Sequence, residues 1–331
     1  MRAVRLSKPS PIEHKPLENV EVKVPVAGPG QLLVKISASA ICHTDLHIVE
    51  GDIVPPKLPV IPGHQVIGRV ISIGPEVSSW AIGDRVGIPW LYRACRTCAY
   101  CLRGEENLCP DAEFTGFHRP GGYAETMVAE ADYALPIPDF LRDEQAAPLL
   151  CGGIIGFRSL HKADLRPGER LGLVGFGSSA HLTIQVALHW GCEVYVFTRS
   201  AGHRSLALEL GATWAGGVED DSPALLDRAI LFAPSGKLVP IILEKIRPGG
   251  TLAINAIHLS PIPEFPYRLI YGERTLRSVA NATYQDGIDF LKIAAEIPIR
   301  VTTKSYPLAS ANQALQDLKQ STIDGSGVLQ V

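Results

Sequence analysis

The 331-residue sequence predicts an α/β chain in two parts, a β-rich first half and a doubly wound parallel-sheet second half. Three observations carry this expectation. Up to Cys151 the chain holds alternating, β-branched runs cut by Gly and Pro turns. From about Gly152 short apolar runs alternate with helical stretches, the mark of βαβ units. One of those runs, Leu171 to Val174, ends in a glycine-rich turn that opens a helix.

Each element follows in order. Pro29-Gly30 opens a strand from Leu32 to Ala40, in which Val34, Ile36, Ala38 and Ala40 alternate with Leu33, Lys35, Ser37 and Ser39. A second strand runs from Val66 to Ile73 and stops at Gly74-Pro75, and Gly83-Asp84 precedes a short strand through Val86 and Ile88. After the Leu171–Val174 run, Ala180, Ile184, Ala187 and Leu188 fall on one helix face, with Gly191 as the C-terminal stop. Glu193 to Phe197 is the next strand, Leu206 to Leu210 ends a helix before Gly211, and Ala229 to Phe232 is a third strand. Thr251 to Asn255 follows the turn Pro248-Gly249-Gly250. A helix from Asp286 to Ile297 and a strand from Gly327 to Val331 are too small to fold alone and are expected to pack back on the first part. The expected domains are therefore 1–151 with 284–331, and 152–283.

Composition narrows the function. Hydrophobic residues make up 46% and charged residues 20%, which suits a compact fold and excludes disorder as the main theme. A net charge of −3 without a block of Lys and Arg argues against nucleic acid as a partner. No apolar stretch reaches the ~18 residues of a membrane span, and the N-terminus lacks the apolar core of a secretory signal, so the expected location is the cytoplasm. Seven Cys are too few for a disulfide scaffold at this length, and an odd number would leave one thiol unpaired.

Four of the seven explain themselves. Cys95, Cys98, Cys101 and Cys109 are spaced C-x2-C-x2-C-x7-C. Four clustered thiolates close a tetrahedral shell around zinc and leave no open position, which makes a structural site. An iron–sulfur cluster is the rival, since Cys109-Pro110 ends like a ferredoxin run, but bacterial ferredoxins use a spacer of about three before that last Cys. Zinc is the expectation. A second set is dispersed: Cys42-His43-Thr44-Asp45-Leu46-His47, then Gly63-His64-Gln65, then Cys151-Gly152-Gly153. Alone, Cys151 reads as a packed thiol and His64 as a core histidine, so spacing does not decide.

With the tetrathiolate loop between His64 and Cys151, the combination resembles the zinc-containing alcohol dehydrogenases of the medium-chain dehydrogenase/reductase superfamily. Supporting motifs are Gly63-His64 with Gly68, Gly83-Asp84-Arg85-Val86, Glu106-Asn107-Leu108-Cys109 and Gly121-Gly122-Tyr123-Ala124-Glu125. The resemblance covers the whole chain and implies a GroES-like β-rich catalytic domain with a Rossmann domain. It implies two zinc ions per chain, the catalytic one held by Cys42, His64 and Cys151. Asp45 would hold His64 through its other ring nitrogen and fix the tautomer. Metal coordination can lower a hydroxyl by about nine pKa units, about 12 kcal/mol, against about 3–5 kcal/mol from a positioned base. Side chains therefore only have to move the proton out. In the family a hydroxyl beside the first Cys ligand receives it and passes it through the cofactor ribose to a His; Thr44 and His47 match those positions, and His43 falls among the cofactor-binding positions.

The loop Gly175, Phe176, Gly177, Ser178, Ser179, Ala180 is G-x-G-x-x-A between strand and helix, where backbone amides and the helix dipole meet a pyrophosphate. An NAD site places Asp or Glu about 20 residues on, to take the ribose hydroxyls. This chain has Thr198-Arg199-Ser200, with His203 and Arg204 nearby. Arg199 can neutralise a 2′-phosphate, so NADP is expected over NAD. Three positions depart from the family: Gln65 for a Glu, Ile155 for a Thr, and Ser326 for an Arg near the cofactor phosphates. Trp90 falls where the family lines the substrate pocket and would favour a small alcohol or aldehyde. The expected function is reversible alcohol oxidation to aldehyde or ketone by a homo-oligomer, dimer or tetramer. The alternatives are an NADPH-dependent aldehyde reductase of the same fold and a non-catalytic dinucleotide- and zinc-binding descendant.

Overall fold

The computed structural model describes residues 1–331. Its contacts divide the chain into two units, Met1–Cys151 with Asn281–Leu291 and Val301–Val331, and Gly152–Ala280 with Lys292–Arg300.

The first unit is organised by the long strand Gln31–Ala40, which pairs antiparallel with Val66–Ile73, Thr126–Glu130 and Ser326–Gln330. The full order is Thr303–Pro307, Ser326–Gln330, Gln31–Ala40, Val66–Ile73, Arg85–Ile88 and Leu135–Pro136, with Thr126–Glu130 attached to Gln31–Ala40. The alternation read in the sequence places Leu32, Val34, Ile36, Ala38 and Ala40 in the interior with Lys35 exposed. Leu33 and Ser39 are buried as well, so both faces of this strand are covered at those points. Leu32, Val34, Ile36, Val66, Val70, Val86, Ile88 and Met127 form one apolar cluster. The terminal strand lies inside this sheet, Leu329 pairing with Ser39 on one side and with Tyr306 on the other.

The second unit is a six-stranded parallel sheet in the order Trp214–Gly216, Glu193–Phe197, Arg170–Val174, Leu226–Leu231, Ile246–Ile254, Thr275–Ser278. The chain builds outward from Arg170–Val174 in both directions, so the strand order reverses beside the Gly175 turn, the position where such sheets bind ligands. Two details differ from expectation. Pro248-Gly249-Gly250 lies within the strand Ile246–Ile254, because a register shift lets Leu226 pair with Ile246 and Arg228 with Thr251. The short edges Trp214–Gly216 and Thr275–Ser278 carry no run of alternating apolar residues and were not expected. No helix is long and apolar enough to cross a membrane.

Candidate active site and nucleotide loop

Cys42 is the N-cap of the helix His43–Glu50. Its Sγ accepts from the Thr44 amide at 3.3 Å, and its own amide donates to Asp45 Oδ2 at 2.9 Å. This is a capping box with a thiol where Ser or Thr normally stands. The helix N-terminus therefore stabilises negative charge on that sulfur. The other Asp45 oxygen accepts from the Gly63 amide at 3.2 Å and from His64 Nδ1 at 3.0 Å. Asp45 and His64 are fully buried. Gly63 has φ +96°, and a Cβ there would lie 2.4 Å from the Tyr123 ring, so only glycine lets His64 approach Asp45 along this backbone.

Because Asp45 accepts from His64 Nδ1, the other ring nitrogen, Nε2, faces the thiols and stands 3.3 Å from Cys42 Sγ. Cys151, at the end of the 3₁₀ helix Ala147–Leu150, completes the group, with the three ligand atoms within 4.8 Å of one another. Burial alone would lower His64, but the Asp45 carboxylate and the Cys42 sulfur outweigh it and hold the imidazole up at about 10. Within the thiol pair Cys42 is held well below the usual range, first by its hydrogen bond to Cys151, and Cys151 lies above it. Positive charge settles here against two negative groups, which is the environment a divalent cation takes over when it displaces protons. Two sulfurs and one imidazole are the three-residue donor set of a catalytic zinc site.

Trp90 packs edge-on against His64, with centroids 4.9 Å apart at 72°, and stacks on Phe114 at 4.9 Å and 12°. Its indole N–H donates to Asn281 Oδ1 at 3.0 Å, which pins the ring. In the second cluster Cys95, Cys98, Cys101 and Cys109 also bring their sulfurs within 4.8 Å of one another. The Cys98 amide donates to Cys95 Sγ at 3.3 Å, and such backbone bonds, with that from Thr97 foremost, lower Cys95 to about 6. A loop that already stabilises a thiolate and gathers four sulfurs fits a closed zinc site.

In the second unit, Gly175 turns at φ +89° and Gly177 caps the helix Ser178–His189 without any side-chain cap. The first-turn amides of that helix are thus available to an anion.

A family model, the alcohol dehydrogenase GroES-like domain, matches residues 28–139. The chain is 48% identical over 335 residues to a probable alcohol dehydrogenase AdhA of Mycobacterium tuberculosis (strain CDC 1551 / Oshkosh), covering 99% of this chain and 97% of that one. It is 36% identical to an alcohol dehydrogenase of Geobacillus stearothermophilus, covering 96% of each. The chain belongs to the zinc-containing medium-chain alcohol dehydrogenases. Among solved structures, an NAD-dependent alcohol dehydrogenase superposes with a TM-score of 0.91 at 26% identity, covering 100% of both chains. A cinnamyl alcohol dehydrogenase of Sorghum bicolor gives 0.91 at 27%, covering 99% of this chain and 97% of that one.

Other residues singled out in the sequence of this dehydrogenase lie as follows. Thr44 and His47 are half-buried, and His43 is exposed with its ring centroid 6.4 Å from that of His47. Phe176 is buried, Gly177 is exposed, and Ser178 and Ser179 are half-buried. Thr198 is buried and Arg199 exposed, while Ser200 caps the helix Ala201–Glu209 by accepting from the His203 amide at 3.3 Å. Gln65 is buried with no hydrogen-bond partner on Nε2, Ile155 is half-buried and Ser326 is buried. Sequence reasoning missed Asn281, Asp220 and Asp52. Asp220 accepts from the Gly217 amide at 2.6 Å, and Gly216 in turn accepts from the Thr198 amide at 2.8 Å. Asp52 accepts from His47 Nδ1 at 2.7 Å. For Asp52 the signal existed, since Gly51-Asp52 reads as a turn that folds back on the preceding helix.

Proposed function

We propose that this alcohol dehydrogenase interconverts small primary or secondary alcohols with their aldehydes or ketones, using a catalytic zinc on Cys42, His64 and Cys151 and a structural zinc on Cys95, Cys98, Cys101 and Cys109. The observation that carries the reading is the convergence of Cys42 Sγ, His64 Nε2 and Cys151 Sγ in front of a buried Asp45 that fixes the imidazole. A zinc held by Cys42, His64 and Cys151 would supply Lewis-acid stabilisation of negative charge on the substrate oxygen, and a nicotinamide held at the Gly175 loop would supply the hydride acceptor. The protein's own residues hold and orient. Asp45 keeps His64 in the one tautomer able to ligate through Nε2. Thr44 receives the alcohol proton at its hydroxyl and His47 carries it outward. The pinned Trp90 ring limits substrate bulk.

We assign residues 1–151 and 284–331 to the catalytic domain and 152–283 to the nucleotide domain, except that residues 281–283 group with the first unit and Lys292–Arg300 with the second. His43, the Gly175–Ala180 loop, Thr198, Arg199 and Ser200 are assigned to the cofactor, with NADP preferred to NAD on the strength of the exposed Arg199. A homo-oligomer in the cytoplasm completes the proposal; thiols grouped in metal-type clusters suit a reducing compartment. Metal analysis of the purified chain should return two zinc per subunit. Cys42→Ser should retain one zinc, abolish turnover and keep nucleotide binding. A single zinc in the wild-type protein, or full activity in Cys42→Ser, would overturn the assignment.

A further inference from the structure

We propose that Asp52 is a positioning residue for His47, fixing the tautomer in which the imidazole takes up the substrate proton; this rests on the role given to His47 above. The helix His43–Glu50 ends at Gly51, whose φ of +90° turns the chain back and lets its amide donate to the His47 carbonyl at 3.0 Å. The Ile53 amide reaches the same carbonyl at 3.3 Å. Any side chain at Gly51 would be strained in this conformation and would also press on Pro9 Cβ at 3.0 Å. The turn therefore has one shape, and that shape delivers the Asp52 carboxylate to the last turn of the helix, with Oδ2 at 2.7 Å from His47 Nδ1.

The chemistry of the pair has one solution. A carboxylate has no proton to give, so Nδ1 carries the proton and Nε2 keeps the lone pair. A proton arriving from the Thr44 side bonds to Nε2, the imidazole becomes imidazolium, and the Nδ1 proton stays in its bond to Asp52. Release of the Nε2 proton to water restores the neutral ring. Asp52 is never itself protonated in this sequence. The His47 side chain is 14% exposed and Asp52 43% exposed, so the base is sheltered while its partner reaches solvent. The helix is used twice in this way. Asp45 in its first turn orients the ligand imidazole of His64, and Asp52 just past its end orients that of His47.

The test compares Asp52→Ala, Asp52→Asn and His47→Gln with the wild type. Ring ¹⁵N spectra of the protein as purified, zinc in place and no nucleotide added, report the His47 tautomer without any appeal to activity. The wild type should show a single Nδ1–H form and Asp52→Ala a mixture. In steady-state alcohol oxidation Asp52→Ala should lose about tenfold or more in kcat with KM for the alcohol nearly unchanged. Added imidazole should recover part of that rate, and Asp52→Asn, whose amide oxygen still accepts from Nδ1, should lose less. If His47→Gln is slow while Asp52→Ala turns over at the wild-type rate, Asp52 has no part in positioning and the proposal is overturned alone. If His47→Gln itself runs at the wild-type rate, the proton path through His47 falls and the role of Asp52 falls with it. A single unchanged tautomer in Asp52→Ala also overturns the proposal.

Discussion

Arg199 stands exposed just past the strand Glu193–Phe197, whereas its neighbour Arg204 is turned back, its Nε donating to the Thr198 carbonyl at 2.9 Å. Ser200 caps its helix as an acceptor, which leaves its hydroxyl proton to donate. If a 2′-phosphate is bound here, Arg199 supplies the charge-assisted bond, and losing one costs about 1.5–3 kcal/mol. Arg199→Ala should therefore raise KM for NADP about 10- to 100-fold and leave KM for NAD almost unchanged. Initial rates with both cofactors on ethanol, butanol and benzyl alcohol measure this, and a strong wild-type preference for NAD would refute it. Asp220 is the residue that could produce that refutation, because its carboxylate is held at Gly217, beside the same strand end. It lies more than twenty positions past Arg199, so no fixed spacing from the glycine loop could single it out. Asn281 was illegible for the same reason. It is far from Trp90 in sequence, and only the fold brings its side chain to the indole nitrogen. Cys95, Cys98, Cys101 and Cys109 were legible from their spacing alone, whereas Cys42, His64 and Cys151 were legible only through the family resemblance, because each by itself reads as an ordinary packed side chain.

The helix Ser178–His189 shows what an element adds. Its periodicity predicts one apolar face, yet Ala180, Leu182, Thr183, Ile184, Val186 and Ala187 are all buried, and so is His181. It is enclosed on most sides, which a periodicity count over twelve residues cannot distinguish from a one-sided stripe. Burial lowers His181 to about 4, against an opposing pull from the backbone of Gly177 and Ser178, with His203 adding a smaller push downward. A histidine lowered on folding is neutral in the native state and takes up protons when unfolded. Its contribution is thus fully present above about pH 6.5, the unfolded value, and is lost as pH falls from there toward about 4. The loss amounts to about 3 kcal/mol for the complete interval. Urea midpoints of the wild type should drop over this range, and His181→Leu should flatten the profile; equal slopes in the two proteins would disprove the link. The strands flanking this helix were legible because parallel strands buried on both faces read as short apolar runs. The outermost strands were not, because an edge needs no such run.

At the scale of the whole molecule, that outermost strand sets the last expectation. Thr275–Ser278 pairs on one side with Ile246–Ile254 and ends the sheet on the other. Arg277 and Ser278 are exposed, Leu276 is 36% exposed, and the chain leading into the strand carries Tyr267 and Tyr271, 70% and 68% exposed. An open edge with apolar and aromatic residues beside it is an association site unless charge or a covering element blunts it. The opposite edge, Trp214–Gly216, is only three residues long and half-buried or buried. A second copy related by a twofold axis can pair Thr275–Ser278 with itself, which continues the sheet and covers the tyrosines in one isologous contact. The net charge of −3 offers little repulsion against it. Sedimentation equilibrium should therefore give an even multiple of the 35.7 kDa chain mass. Leu276→Lys combined with Tyr271→Lys, which places like charges opposite each other across the axis, should shift the protein toward monomer with its far-ultraviolet circular dichroism unchanged. A monomeric wild type would refute self-association, and an unchanged mass in the double variant would move the contact to another face.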